Sequence, residues 1–399
     1  MNNNNAQTNT GPLAGIKIVD LSVMISGPLS AMMLADQGAE VIKVESPGIG
    51  DMMRHLGSAK GGMTGIFTLH NRGKKSVGLN LKHETGKEIL RRLLSDADVV
   101  IQNFRPGALD KLGFGYDDVS AANPNIIYVS ISGFGPDGPR SGQRVYDNVI
   151  QAASGLASVQ TDKATGKPQI FRTLVCDKVT SYTVAQAITA ALFARERGRG
   201  GQHIEVSMLD AAIAFMWPDS AMDAALLDDD VARTPTIGEN YGALELKDGY
   251  VTVSAVSQPE FEGYVAALGN ADLARDPRFA DAPSRSANVL ELRAEIKKLT
   301  EKITVKEFLD NAVTFDVPAS GITTLHEVHH DPQVQHNGSF IVRTHPLAGQ
   351  VREARHAPRF AGTPTVHADH APARGQHSDE IVTALGFDAA ALREQQIIF

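Results

Sequence analysis

From Gly15 onward the chain alternates short apolar, β-branched runs with amphipathic stretches. GIKIVDLS reads as a strand, GPLSAMMLADQG as a helix and EVIKVE as a second strand. The alternation continues through the strand SVGLNL, the helix ETGKEILRRLLSDA, the strand VVIQNF and, after ANPN, the strand IIYVSISGFG. Strands separated by helices of this length predict βαβ units and a mostly parallel sheet. Such sheets are covered on both faces, which explains why VVIQNF and IIYVSI are almost uninterruptedly apolar. Ligands of parallel sheets sit beyond the strand carboxyl ends. That directs attention to three loops: SVMISGPLS, NFRPGALDKLGFG and SGFGPDGPRSG.

A long helix is predicted from about Asp177 to Arg197, with Tyr182, Ala185, Ile188 and Leu192 along one face. It closes in ERGRGGQ, a basic last turn followed by glycines, before a further strand HIEVSML. Clustered acids, Pro and Gly in LLDDDVARTPTIGEN predict a linker over 225–240. The expected organisation is α/β: a Rossmann-like large domain with a mostly parallel sheet over 11–224, and a smaller α+β domain over 241–325. A return segment over 326–399 is expected to pack on the large domain. The small domain carries the strand VTVSAVS, the helix EFEGYVAAL and the helical stretch VLELRAEIKKLTEKITVKEFLDNAV. Residues 1–10, rich in Asn, are expected to form a disordered tail.

With 399 residues the chain exceeds the usual span of one core, which suits two units. A formal charge of −8 opposes nonspecific attraction to nucleic acid, so a phosphate-bearing ligand needs a local cationic cluster. Cys176 is the single cysteine, which excludes an intrachain disulfide and fits a reducing cytoplasm. No run of about 18 apolar residues predicts a membrane span. The 13 histidines show no metal-binding spacing, and no metal is expected.

Asp177 is the most suggestive acid. At the start of a long helix the partial positive charge favours a carboxylate by about 0.3–1 kcal/mol, so an anionic nucleophile is expected at neutral pH. The plain alternative is a helix N-cap. Cys176 is the rival nucleophile, although its apolar flanks suit a small core residue better. Cations gather at Arg72, Lys74 and Lys75 in NRGKKS, at Lys82, and at Arg105 and Lys111 after VVIQNF. They could hold phosphates, or simply be a solvated surface. SGFGPDGPRSG does not meet a dinucleotide fingerprint: it is either a tight turn or a loop whose amides approach a ligand oxygen.

Several segments together resemble the class III CoA-transferase family, also called the CaiB/BaiF family. They are PLAGIKIVDLS, LADQGAEVIKVESPGIGD, NRGKKSVGLNLK, VVIQNFRPGALDKLGFGYD, YVSISGFGPDGP, VCDKVTSYTVAQAITAALFARERGRGGQHIEVSMLDA, HEVHHDPQVQHNG and GQHSDEIVTALGF. They span nearly the whole chain in family order. The resemblance implies that Asp177 attacks an acyl-CoA thioester, and that Tyr146 and Asp147 form a Tyr-acid pair beside it. It also implies that Asn103, Phe104 and Lys111 lie along the CoA nucleotide, with Lys82, Arg72, Lys75 and Arg105 near its phosphates. CoA and acyl-CoA are then substrates rather than tightly bound cofactors, small dicarboxylates such as succinate are a donor class, and the protein is an interlocked homodimer.

Two departures bear on the substrate. The glycine-rich loop of the formyl-CoA member is absent, and Ile25 in MISGP stands where that member has glutamine, so formyl-CoA and oxalate are poor substrates to expect. The family fold also hosts α-methylacyl-CoA racemases, which need two acid-base groups. Their catalytic histidine falls on Tyr146 and their second acid near Gly242, and a tyrosine of reference pKa about 10 is a poor base. A noncatalytic acyl-CoA-binding protein is the third reading. Arg140 and Arg172 could each pair a second substrate carboxylate or lie on the surface.

Overall fold

Six strands form the central sheet of the computed structural model, which describes residues 10–234, 236–365 and 367–399. They are β1 (Lys17–Asp20), β2 (Glu40–Glu45), β5 (Lys74–Gly78), β6 (Val99–Gln102), β7 (Ile127–Ser132) and β8 (Gln202–Ser207). β3 (Ala59–Lys60) and β4 (Met63–Thr64) make a short ribbon between β2 and β5. The spatial order is β5-β2-β1-β6-β7-β8, and every pairing is parallel. The mostly parallel α/β architecture expected from the sequence is therefore present.

Each strand alternates its apolar side chains between the two faces, as the two-residue period of a strand requires. Ile18, Val99, Ile101, Ile127 and Val129 enter one core. Val19, Val100 and Tyr128 enter the other. The first core is covered by α1 (Ser26–Ala35) and by the inner face of α7 (Val175–Ala194), where Val184, Ile188 and Leu192 are buried. The second is covered by α3 (Glu84–Ser95), through Ile89, Leu90, Leu93 and Leu94, and by the terminal helices α14 (Ser378–Ala384) and α15 (Ala389–Glu394). Burying each such side chain contributes about 1.5–3 kcal/mol. Of the remaining helices, α2 (Gly65–Asn71), α4 (Tyr116–Ala122), α5 (Asp147–Ala153) and α6 (Leu156–Val159) precede α7, and α8 (Met208–Ser220) follows β8. Helix α7 ends at Ala194 in a π-type turn, Arg195–Arg199, with Gly198 left-handed at φ 81°, three residues short of the expected end.

The chain divides into one unit running to Pro218 and resuming over Gly338–Phe399, and a second over Asp219–Asn337. The division thus precedes the linker expected at 225–240, and the return begins at 338 rather than 326. The second unit has an antiparallel sheet of β9 (Leu244–Leu246), β10 (Gly249–Val253) and β11 (Ala319–Gly321). Packed on it are α9 (Gln258–Ala267), α11 (Val289–Thr300) and α12 (Val305–Thr314), with α10 (Ala282–Ala287) against α11 and the short α13 (Pro332–His336) after them. The single helical stretch expected over 289–313 is two helices, because Thr304 and Glu307 close a reciprocal capping box that starts α12 afresh. In the first unit, β12 (Phe340–His345) and β13 (Gly349–Ala354) form a hairpin that the hydrophobic pattern did not reveal. The tail expected over 1–10 lies, apart from Thr10, outside the described residues.

Candidate active site

From β1 the chain moves outward to β2 and β5, and from β6 outward the other way to β7 and β8. The sheet therefore has its topological switch between β1 and β6, where parallel sheets open a crevice at their carboxyl ends. Two loops meet there, and Asn103 ties them together: its Oδ1 accepts from the Val23 amide at 2.9 Å and its Nδ2 donates to the Val23 carbonyl at 2.7 Å. The next residue, Met24, has φ 64°. A non-glycine residue held left-handed costs about 1–3 kcal/mol and persists only where its surroundings fix it. Asp51 does part of this, accepting from the Met24 amide at 3.1 Å.

Asp177 stands on the neighbouring helix. It is not an N-cap: Leu174 holds that position without a side-chain bond, and Asp177 is the third residue of α7. Its own amide donates to Asp147 Oδ2 at 3.0 Å, so Asp147, 2% exposed, supplies the missing cap from α5. Gln151 donates to the other Asp147 oxygen, and its carbonyl accepts from the Phe171 amide at 2.8 Å. Helix α1 packs against α7 and brings its first amide, that of Ser26, to the Asp177 carboxylate.

Burial, and then the like charge of Asp147, push the Asp177 carboxyl up to about 7, against the pull of the Ser26 amide. The expectation of a fully anionic group is thus corrected, because loss of water outweighs the helix N-terminus. Near neutrality the group is divided between acid and carboxylate. Cys176 is no competitor: it is fully buried, and burial pushes its thiol up to about 12.

Asp177, Met24 and Tyr146 border two cavities. One, of about 430 Å³, is lined by Ser26, Asn103, Phe104, Arg105 and Arg144. The other, of about 340 Å³, has Ile25, Ile170, Phe171 and Leu174 in its wall, with Arg172 as its one cation. The structure therefore brings together Asp177, Tyr146, Asp147, Asn103, Phe104 and Arg105. Tyr146 is 68% exposed and lines both cavities. Sequence reasoning missed Ser26, Met24 and Arg144. The first two lie in a loop it had marked, whereas Arg144 sits beyond the glycine-rich turn and carries no local signal.

Other expected cations go elsewhere. Arg72 is 4% exposed and makes a two-point ion pair with Asp36, at 2.9 and 2.6 Å. Lys75 pairs with Glu40 and Glu380 at 3.3 and 2.9 Å. Arg72 follows α2 and is held by Asp36, Lys75 lies on β5, and neither lines the two cavities where a CoA phosphate was expected to meet them. Lys82 and Lys111 are exposed but line neither cavity. Arg140 lies over the Phe134 ring at 3.8 Å and donates to Gln143, outside the second cavity. Among the described residues no cluster of three or more His, Cys, Asp or Glu is placed to hold a metal ion, and no helix is long and apolar enough to cross a membrane.

Fold and site define an α/β protein whose switch-point crevice sets the Asp177 carboxyl between a cationic and an apolar cavity. The sequence model of CoA-transferase family III matches residues 13–378, and the chain belongs to that family. It is 30% identical to a formyl-CoA:oxalate CoA-transferase of Escherichia coli, over 97% of this chain and 99% of that protein. Among solved structures, a CaiB/BaiF family protein from Brucella suis is 32% identical with a TM-score of 0.83, covering 94% of this chain and 100% of that one. A Mycobacterium tuberculosis protein is also 32% identical, with a TM-score of 0.80 over 93% of this chain and 98% of its own.

Proposed function

We propose that the protein moves coenzyme A between an acyl-CoA thioester and a carboxylic acid, with Asp177 as the nucleophile. The observation that carries this reading is the place of Asp177 at the border of the two cavities, with Arg105 and Arg144 on one side and an apolar wall on the other. Arginines suit the phosphates of CoA through charge-assisted hydrogen bonds. The apolar wall suits the hydrocarbon part of an acyl group.

In the proposed cycle the Asp177 carboxylate adds to the thioester carbonyl carbon and the C–S bond breaks, giving a mixed anhydride and CoA thiolate. The thiolate attacks the aspartyl carbonyl, releases the donor acid as a carboxylate and leaves an aspartyl-CoA thioester. The acceptor carboxylate displaces CoA to form a second anhydride, and the thiolate then attacks the acceptor carbonyl and restores Asp177. No oxidant, ATP or metal is consumed. Burial, and then the like charge of Asp147, keep part of the Asp177 population protonated at rest, and the Ser26 amide favours the anion that attacks.

The Escherichia coli relative names formyl-CoA and oxalate as one pair of substrates. Ile25, 2% exposed on the wall of the second cavity, favours an acyl group with more hydrocarbon than either. CoA as an exchanged substrate, the interlocked homodimer and a cytoplasmic location belong to the same proposal.

The test is incubation with a panel of acyl-CoAs, succinyl-CoA included, followed by hydroxylamine or borohydride trapping and peptide mass spectrometry. Modification at Asp177, lost in Asp177→Ala, is expected. Solvent deuterium entering the carbon beside the thioester with no adduct would mean a racemase. Tight CoA binding with neither result, unchanged in Asp177→Ala, would mean a binding protein.

A further inference from the structure

Beneath the loop that carries Met24 lie four charged side chains, Asp20, Lys43, Asp51 and Lys74, none more than 3% exposed. Two ammonium and two carboxylate groups balance, the condition under which ions persist away from water. Lys43 Nζ lies 2.9 Å from Asp51 Oδ2 and donates to the Ser22 carbonyl at 2.8 Å. Lys74 Nζ donates to Asp20 Oδ2 at 2.8 Å, to the Pro28 carbonyl at 2.8 Å and to Asn71 Oδ1 at 2.9 Å. Asp20 Oδ1 accepts from the Ser22 amide at 2.9 Å and from its hydroxyl. Asp51 Oδ1 accepts from the amides of Met24 and Met53, at 3.1 and 3.0 Å.

None of the four lines either cavity, yet each one bonds to backbone between Ser22 and Pro28. That segment contains the left-handed Met24 and delivers the Ser26 amide to Asp177. A core that needed only stability would be served as well by apolar residues of similar size. Here the charges have a shared target instead.

We propose that this quartet is a positioning device for the reaction: it locks Ser22–Pro28 so that Met24 keeps its turn and the Ser26 amide meets the Asp177 carboxylate. The role in reaction rests on the function proposed above, while the locking of the loop does not.

The paired change Lys43→Met with Asp51→Leu separates position from stability. Because a buried ion pair replaced by apolar side chains is often neutral or stabilising, the variant is expected to melt near the native temperature. Hydrogen exchange at the Met24, Ile25 and Ser26 amides is expected to quicken while exchange in β6 and β7 stays slow. The maximal rate of Asp177 adduct formation is expected to fall about a hundredfold, the scale of losing one oriented donor at a reacting centre. The half-saturating thioester concentration should change less than about threefold, since the loss is not in substrate binding. If the paired variant does not fold, Asp51→Asn carries the same test, because its amide has one oxygen for the Met24 amide and the Lys43 ammonium. Unchanged exchange in the loop overturns the proposal, as does a native maximal rate in a variant whose loop has loosened. A wild-type protein that forms no adduct overturns the reaction and with it the catalytic role, and the exchange measurement still decides whether the quartet locks the loop.

Discussion

The Asp177 amide donates to the Asp147 carboxylate at 3.0 Å, so the residue that caps α7 is also the like charge that loads the side chain of the residue it caps. One acid thereby does two opposed things. It satisfies a helix N–H that the sequence of α7 leaves open, and it raises the proton affinity of the carboxylate next to it. Because α5 carries Asp147 and α7 carries Asp177, the relation depends on tertiary packing and not on either helix alone.

Adduct formation at Asp177 is expected to rise with pH, with its midpoint near the value of about 7 to which the group is pushed. The nucleophile is the anion, so the acidic side of the midpoint is the inactive one. Asp147→Asn keeps an oxygen for the Asp177 amide and removes the charge. The midpoint should move down, and because burial is the larger cause it should remain above the ordinary carboxylate range. A pH series of trapping rates measures this, and an unmoved midpoint would remove Asp147 as a cause.

The same shift makes the site costly to the fold. Asp177 is raised from 3.8 to about 7, so across that window the folded protein keeps a proton that the unfolded chain has released. Stability therefore falls as pH rises through the window, and the penalty is complete above it. Asp177→Asn should be more stable than the native protein at pH 8, by an order of a few kcal/mol, with no advantage below pH 4. Urea unfolding at the two pH values checks the sign, and an equal effect at both would refute the linkage.

The two kinds of arginine should separate cleanly. Arg105→Ala or Arg144→Ala is expected to weaken CoA binding about tenfold each and to flatten its dependence on salt, since both are exposed in the cationic cavity. Arg72→Ala leaves Asp36 buried without its partner and is expected to cost about 3–5 kcal/mol of stability. The folded Arg72→Ala protein should bind CoA as the native one does. Isothermal titration alongside thermal melting distinguishes the two outcomes.

The strands and helices of the first unit were legible because their periods are local. VVIQNF and IIYVSI are apolar throughout because both faces of the sheet are covered, and the structure distributes Val99, Val100 and Ile101 to opposite cores. Asp177, Tyr146, Asp147, Asn103 and Phe104 were legible through the family resemblance and could not have been joined by spacing. What stayed hidden depends on register. Nothing in EVIKVE itself shows that Lys43 pairs in register with Asp20 of β1 and is fully buried. NRGKK could be a phosphate-binding cluster or a solvated surface, because nothing local shows that Asp36, Asp20 and Glu380 wait beside Arg72, Lys74 and Lys75. The protonation of Asp177 was misjudged because a helix terminus is visible in a sequence and loss of water is not.

Cys176 offers a probe of the same helix head. The residue preceding Asp177 is fully buried in the first core, and burial together with the charges of Asp147 and Asp177 pushes its thiol up to about 12. Alkylation needs the thiolate and access, and the folded protein offers neither. Iodoacetamide at pH 8 is expected to leave Cys176 unmodified in the native state and to label it fully in denaturant. Cys176→Ala should lower stability by about 1–2 kcal/mol through the atoms lost from the core, while still forming the Asp177 adduct. Rapid native labelling would mean that the first turn of α7 opens readily, and the nucleophile proposed on that turn could not then hold the geometry described for Asp177.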